Sequence, residues 1–270
     1  MWWHAGRYLG TMASIFRDTA PTLSPQDAPP CCTRSLIAVT TPRIDRMFTT
    51  ASIKFLDDLA ANNNRIWFEE NRSRYEALVR EPALAFISEM SPVLHSFAPH
   101  FRADARKTGG SLMRIFRDTR FSRDKTPYKT NIGIQFRHAS GNDVHAPGFY
   151  VHIAGNDCFL AVGCWHPDTN SLARIRDWIA CAPEKWFSAR DHGSFCEKWT
   201  HSGASLTRPP RGYQADHAAI EDLKRKDYVA IAALSLDEVI DRDFVQLAGA
   251  RFAVATPFMK FLCEALQVRY

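Results

Sequence analysis

Three short apolar runs in the middle of the chain decide its fold. They are residues 132–136 (Ile-Gly-Ile-Gln-Phe), residues 149–153 (Phe-Tyr-Val-His-Ile) and residues 159–165 (Phe-Leu-Ala-Val-Gly-Cys-Trp). In the first two runs apolar and polar side chains alternate, which is the period of a strand with one buried face. Because no helical pattern separates the runs, we expect neighbouring antiparallel strands, with Gly155-Asn156 as a two-residue turn between the second and the third.

Helical patterns lie on both sides of these strands. Thr49 or Thr50 is predicted to cap the first helix, and Asp168 is predicted to cap a helix that follows the strands. Helices therefore come first, strands dominate the middle, and helices return near the C-terminus. This order predicts an α+β fold with a mostly antiparallel central sheet flanked by N-terminal and C-terminal helices. Further short strands are expected at residues 101–103, 112–116 and 228–234.

The composition excludes several classes of protein. A net charge of +5 over 270 residues is too small for a histone-like binder of nucleic acid. The seven cysteines include no C-x-x-C pair, which favours free thiols in a reducing cytoplasm over a disulfide scaffold. The sequence has no apolar stretch of the length that a membrane-spanning helix needs, so no membrane partner is predicted.

Residues 1–46 differ from the rest of the chain. They contain five prolines and five arginines, and they lack a sustained apolar period. A misassigned start with translation from Met47, a disordered extension and an Arg-rich targeting segment all fit this composition. Residues 47–270 are predicted to form a single α+β domain.

The densest charge lies in residues 114–129, which we call the cation-rich segment. Unpaired buried charge costs several kcal/mol per ion, so this segment is a solvated surface, an ion-paired scaffold or a site for an anion. Arginine forks suit phosphate oxygens, lysines add point charges, and Pro127 stiffens the loop. The predicted anion-binding residues are Arg114, Arg117, Arg120, Lys125, Tyr128 and Lys129, with Asp118 and Asp124 as orienting or ion-pairing carboxylates.

A second group of polar residues follows the predicted strands. In adjacent antiparallel strands the side chains of Asn131, Gln135, Tyr150 and His152 can fall on one face of the sheet, and Lys129 can share it. His152 is then a candidate for proton transfer, with Asp118 as a second candidate. An ordinary solvent-facing surface, or a covered face with a hydrogen-bonded histidine, explains the same pattern.

No metal site is predicted. His145, His152, His166, Cys158 and Cys164 lie near one another in the sequence, but their spacings match no recognised metal-binding motif. No cofactor is predicted either, although Asp118 and Asp124 are suited to Mg²⁺ beside a phosphate.

Three parts of the chain resemble one family. The central part is Arg114-x-x-Arg117-Asp118-x-Arg120-Phe121-Ser122-x-Asp124-Lys125-x-Pro127-Tyr128-Lys129. It resembles the defining motif of domain of unknown function 2461, a family of mainly bacterial proteins. Asn62-x-Asn64-Arg65-x-Trp67-Phe68 is similar to the opening helices of that family, and Pro209-x-x-Gly212-Tyr213 to a later block. The resemblance spans Met47 to the C-terminus and implies no activity, cofactor or substrate.

These observations lead to two hypotheses about function. In the first, the protein has a preorganised site for phosphate or a phosphoester in the cation-rich segment, and the ligand is an anionic small molecule on which the protein can act as an enzyme. In the second, the same basic surface binds nucleic acid or another protein without catalysis. The sequence does not decide between enzyme and binding module, and it does not determine the oligomeric state.

Overall fold

The three apolar runs form neighbouring antiparallel strands in the computed structural model, which describes residues 47–140 and 146–270. The extension predicted for residues 1–46 lies outside these described residues. The sheet has the order β1-β2-β3-β4-β6-β5, and every neighbouring pair is antiparallel. The predicted α+β class with an antiparallel sheet is therefore confirmed. The strands are β1 (Phe101–Arg102), β2 (Ile132–His138), β3 (Gly148–Ile153), β4 (Cys158–Cys164), β5 (Thr200–Ser202) and β6 (Tyr228–Leu234).

The register of β2 and β3 separates an apolar face from a polar one. Ile134 lies opposite Val151, and all of the apolar positions of the two strands point to the same side. Gly133 lies opposite His152 on the other side, and Gln135 lies opposite Tyr150. We call this second side the polar face.

The N-terminal helices begin with a well-formed cap. Thr49 and Ser52 make a reciprocal capping box, in which each side chain bonds the backbone amide of the other residue. The helices are α1 (Thr50–Ala61), α2 (Arg65–Glu70), α3 (Arg72–Tyr75) and α4 (Glu81–Phe97), with a π-helical turn over Glu76–Arg80. Pro92 lies inside α4 without ending it, on the exposed side of the helix where water can bond the carbonyl left without an N–H partner.

The remaining helices follow β4. Asp168 caps α5, as predicted, by accepting bonds from the amides of Asn170 and Ser171. None of the helices in the described part of the chain is long and apolar enough to cross a membrane. The helices are α5 (Thr169–Cys181), α6 (Pro183–Arg190), α7 (Gly193–Cys196), α8 (Ile220–Leu223), α9 (Leu236–Ile240), α10 (Phe244–Val254) and α11 (Thr256–Ala265).

Aromatic rings join the apolar face of the sheet to the helices that cover it. The ring of Phe149 in β3 lies 6.0 Å from Phe97 of α4 and 5.1 Å from Phe252 of α10. Farther along, Trp186 of α6 contacts Tyr228 of β6 at 5.9 Å between ring centroids. The apolar face is thereby buried under helices from both ends of the chain, and its burial stabilises the fold.

Two local predictions are wrong. Residues 112–116 form no continuous strand, because Leu112 pairs with Ile134 whereas Phe116 pairs with Tyr128, and the segment changes partner before a ladder can form. The connection between β3 and β4 is also longer than two residues, since β3 ends at Ile153 and β4 begins at Cys158. Its residue Gly155 packs so closely against Asp57 of α1 that a Cβ atom there would overlap the carboxylate.

We predict that Gly163→Ala lowers the free energy of unfolding by about 2 kcal/mol or more. Gly163 has a φ of +117°, and a Cβ atom on it would overlap the carbonyl oxygen of Tyr228 in the neighbouring strand. Urea denaturation at neutral pH measures the difference from the unmodified protein. Gly193→Ala is the control because a Cβ atom on Gly193 meets no atom within 4 Å. Equal losses in the two variants would contradict the prediction.

Candidate functional site

The cation-rich segment leaves the edge of the sheet and returns to it. The amide of Lys129 donates to the carbonyl of Ile115 at 2.7 Å, and the amide of Arg117 donates to the carbonyl of Pro127 at 2.9 Å. These two bonds flank the isolated bridge between Phe116 and Tyr128. The arms of the segment are therefore held side by side, and the residues between them form a projecting loop.

Arg117 is bound inside this loop. Its guanidinium donates to Asp124 and to the hydroxyl of Thr126, and the amide of Thr126 donates to the same carboxylate at 2.9 Å. The Arg117 guanidinium holds the pKa of Asp124 well below its usual range. Arg117 thus braces the loop from within, and most of its charge is already neutralised.

Arg120 is paired as well. Its guanidinium makes a two-point contact with Asp118, at 3.0 Å from Nε to Oδ1 and 2.7 Å from Nη2 to Oδ2. The Arg120 guanidinium holds the pKa of Asp118 well below its usual range. Lys125 donates from Nζ to the carbonyl of Thr119 at 2.8 Å. The ion-paired scaffold interpretation therefore describes the contacts of Arg117 and Arg120, whereas Lys125 bonds a backbone carbonyl.

Tyr128 fastens the loop to the N-terminal helices. Its amide donates to Asn63 Oδ1 at 3.0 Å, and Asn63 Nδ2 donates to its carbonyl at 2.9 Å. Its ring stacks on Phe68 of α2 with 4.1 Å between the centroids, and Phe116 lies on it at 5.4 Å. The ring is buried, so Tyr128 contributes to packing.

Lys129 and Arg114 differ from Arg117, Arg120 and Lys125, which are all bonded within the loop. Lys129 is half-buried, and in the part of the chain that the structure describes its side chain makes no hydrogen bond and no ion pair. Arg114 is exposed and likewise has no bonded partner among the described residues. Burial and the nearby positive charge of Arg114 lower the pKa of Lys129. Two cations are thus held near each other without a carboxylate bonded to either of them.

Asn131 begins the polar face just beyond Lys129. His152 Nδ1 lies 3.1 Å from the hydroxyl of Tyr150 and 3.4 Å from the amide nitrogen of Asn131. The imidazole stacks flat on Phe159, with 4.6 Å between centroids and 6° between the rings. Burial lowers the pKa of His152 to about 4, so the imidazole is neutral at neutral pH.

A glycine makes room for the Tyr150 hydroxyl. A Cβ atom on Gly133 would lie 2.8 Å from that hydroxyl and 3.2 Å from the sulfur of Met113. Burial raises the pKa of Tyr150, and the negative charge of Asp157, in the turn between β3 and β4, raises it further. The hydroxyl therefore stays protonated at neutral pH, in contact with His152.

The residues proposed from the sequence thus divide into two sets. Lys129, Arg114, Asn131, Tyr150 and His152 belong to the base of the loop and the polar face. The tip of the loop holds the paired set, Arg117, Arg120, Lys125, Asp118 and Asp124.

Two further residues were missed by the sequence reasoning. Asn63 carried no signal for its role, because the carbonyl that it bonds is 65 positions away in the chain. Asp157 lies in a turn whose length was predicted incorrectly, so its proximity to Tyr150 was not anticipated.

The described residues contain no group of three or more His, Cys, Asp or Glu side chains arranged to hold a metal ion. His145 lies outside the described residues. Cys158 and Cys164 are buried free thiols. Asp118 and Asp124, the carboxylates suited to Mg²⁺, each bond a different arginine, so neither is a vacant ligand.

A comparison with protein families gives one match. Residues 51–261 match the model of a family described as "Conserved hypothetical protein (DUF2461)". The match covers the sheet, the cation-rich segment and the helices that flank them. A search of curated proteins gave no match.

We predict that Asn63→Ala lowers the free energy of unfolding by about 2 kcal/mol, because it leaves the amide and carbonyl of Tyr128 without partners. Denaturation in urea, followed by tryptophan fluorescence, measures the loss. Asn62→Ala serves as the control, since among the described residues the Asn62 side chain bonds only the nearby carbonyl of Asp58, in an exposed position. Equal losses of stability in the two variants would disprove the proposed role of Asn63 in holding Tyr128.

We also predict that neutral His152 makes stability depend on pH. The pKa of this imidazole is about 4 in the folded protein and ordinarily 6.5, so between these values the unfolded chain binds a proton that the folded protein does not. The contribution is complete above pH 6.5 and is lost as the pH falls, by roughly 3 kcal/mol at pH 4.

The His152→Gln variant tests this dependence by chemical denaturation at pH 7 and pH 4. We expect the variant to lose less stability over this interval than the unmodified protein. His201, whose pKa burial also lowers to about 4, contributes equally to both proteins and cancels. An unchanged pH dependence would show that His152 is already protonated or solvated in the folded protein.

Proposed function

This chain belongs to the DUF2461 family, whose description names no activity, and we propose from its geometry that it binds a small phosphate or phosphoester beside Lys129 and Arg114. The observation that carries the proposal is a half-buried lysine without a bonded counter-ion, held near a second cation. Partial burial of an ammonium group is unfavourable unless an opposite charge offsets it. An anionic ligand would supply that charge.

The neighbouring polar side chains support a compact ligand. Asn131 and Tyr150 place an amide and a protonated hydroxyl at the start of the polar face, each in contact with His152. His152 is neutral at pH 7, so it acts as a hydrogen-bonding group and adds no third positive charge. Charge from Lys129 and Arg114, together with oriented neutral donors, is the composition of a small phosphate site.

The paired cations have a different role in this proposal. Arg117 and Arg120 have their charge taken up by Asp124 and Asp118, and Lys125 is bonded to a carbonyl. They hold the loop rigid, so that Lys129 is presented in one position and little entropy is lost when the ligand binds. The anion site therefore moves from the tip of the cation-rich segment to its base.

The free thiols support a reducing location. Cys158, Cys164, Cys181, Cys196 and Cys263 are all unpaired in the described residues. We infer a cytoplasmic protein. Thiol counting on the protein purified without reductant tests this inference, and a native disulfide would contradict it.

We predict that Lys129→Met abolishes phosphate binding and raises the stability of the ligand-free protein by about 1 kcal/mol, because it removes an unpaired, partly buried charge. Thermal unfolding with and without inorganic phosphate, at constant ionic strength, measures both effects. A phosphate concentration of 100 times Kd stabilises the unmodified protein by roughly 2.7 kcal/mol.

Lys224→Met is the matched control for this variant. Lys224 is similarly shielded, with 18% of its side chain exposed, but it is paired with Glu221 at 2.6 Å. We expect this control to keep the phosphate response and to change stability by less than about 0.5 kcal/mol. The proposal is wrong if phosphate stabilises neither the unmodified protein nor the control, or if Lys129→Met retains the response.

A nucleic-acid partner would be distinguished from a small phosphate by how strongly its binding depends on the salt concentration. Binding of a single-stranded oligonucleotide along the loop would weaken linearly with the logarithm of the salt concentration, in proportion to the phosphates contacted. A single phosphate bound by Lys129 and Arg114 gives a shallow dependence and a stoichiometry of one. A steep dependence, retained in Lys129→Met, would favour the interaction module instead.

A further inference from the structure

A second polar cluster lies at the opposite end of the strands from Asn131 and His152. β4 ends at Cys164, directly opposite Tyr228, the first residue of β6. His166 lies two residues beyond the end of β4, and Asp227 lies immediately before β6. The antiparallel register therefore brings these two residues together, although they are 61 positions apart in the sequence.

The carboxylate of Asp227 is fully buried and fully bonded. Its Oδ1 accepts the backbone amide of His166 at 2.8 Å and lies 2.7 Å from His166 Nδ1. Its Oδ2 accepts the amide of Ala204 at 2.9 Å. Within the described residues the imidazole is the only ionisable side chain that contacts this carboxylate.

The backbone has a positive φ at two positions beside this contact. His166 has a φ of 46°, in the left-handed region that residues with a side chain rarely adopt, and it precedes a proline that restricts it further. Gly203 has a φ of +104°, and a Cβ atom there would overlap Asp227. Glycine adopts such a φ readily, whereas the strained backbone of His166 persists only where the surrounding structure holds it, and such strain is concentrated at functional sites.

The opposite side of the imidazole is open. The side chain of His166 is 54% exposed, and its Nε2 has no hydrogen-bond partner in the parts of the chain that the structure describes. Because Asp227 accepts the proton on Nδ1, the neutral imidazole carries its lone pair on Nε2. A carboxylate that fixes the tautomer of an accessible histidine is the arrangement of a general base.

We propose that His166 and Asp227 form a proton-transfer dyad, separate from the anion site, that activates water for attack on an ester. His166 Nε2 takes a proton from the water as its oxygen bonds to the carbonyl carbon of the ester. When the ester C–O bond breaks, the leaving alkoxide receives that proton from Nε2. The imidazole returns to its neutral state, and Asp227 remains ionised throughout.

The alternative is a structural ion pair, in which the imidazole stays charged and only helps to bury Asp227. Nitrogen-15 NMR of the unmodified protein distinguishes the two. The dyad requires a neutral imidazole that keeps its proton on Nδ1. An imidazole that is doubly protonated at the pH of the hydrolysis assay, or a neutral form protonated on Nε2, would overturn the proposal.

Hydrolysis of p-nitrophenyl acetate provides the second test. We expect a rate that rises with the deprotonation of His166 measured by NMR, and that falls by about 10-fold or more in His166→Gln. His95→Gln is the control, because His95 is an exposed histidine with no carboxylate bonded to it in the described residues. Equal rates in the two variants, or a pH profile that does not follow the deprotonation of His166, would overturn the proposal. Because this test uses no Asp227 variant, it holds even if Asp227→Asn fails to fold.

Discussion

The alignment of Ile134 with Val151 across β2 and β3 is the constraint on which the rest of the structure depends. It places the apolar side chains of the two strands on one face, where Phe149 packs against α4 and α10 and burial stabilises the fold. The same alignment places His152 and Tyr150 together on the other face. A shift of one residue would reverse both faces at once, so hydrophobic burial fixes the geometry of the polar cluster.

The cation-rich segment illustrates how a charged sequence can pair part of its charge within its own loop. Its two carboxylates each bind an arginine, and Tyr128 ties the arms of the loop to Asn63 and Phe68. Exposed ion pairs of this kind add little stability, but they fix the shape of the loop. At the base of the loop, Lys129 and Arg114 have no bonded partner among the described residues, and the proposed function rests on these two cations.

The sequence predicts the strands well because alternation is a local signal that packing reinforces. It predicts the bounds of β6 and the cap of α5 at Asp168 correctly, because these features also depend on residues close together in the sequence. It also predicts that Asn131, Tyr150 and His152 share a face, since the register follows from burial of the other side.

The features that the sequence does not predict depend on contacts between residues that lie far apart in the chain. Phe116 reads as part of a strand, but its partner is Tyr128 in its own loop, and no local pattern indicates that choice. Asn63 reads as a helix break, and its bond to Tyr128 depends on how the first helices dock. The contact between His166 and Asp227 requires the sheet order, which places β6 beside β4.

The most direct test of the anion site is the titration of the Lys129 ammonium group by NMR, in the absence and presence of inorganic phosphate. Without phosphate we expect a pKa below the usual range of lysine, because the group is partly buried near Arg114. Phosphate should raise this pKa, since a bound anion favours the charged form. An ordinary pKa that phosphate leaves unchanged would contradict the presence of an anion site at Lys129.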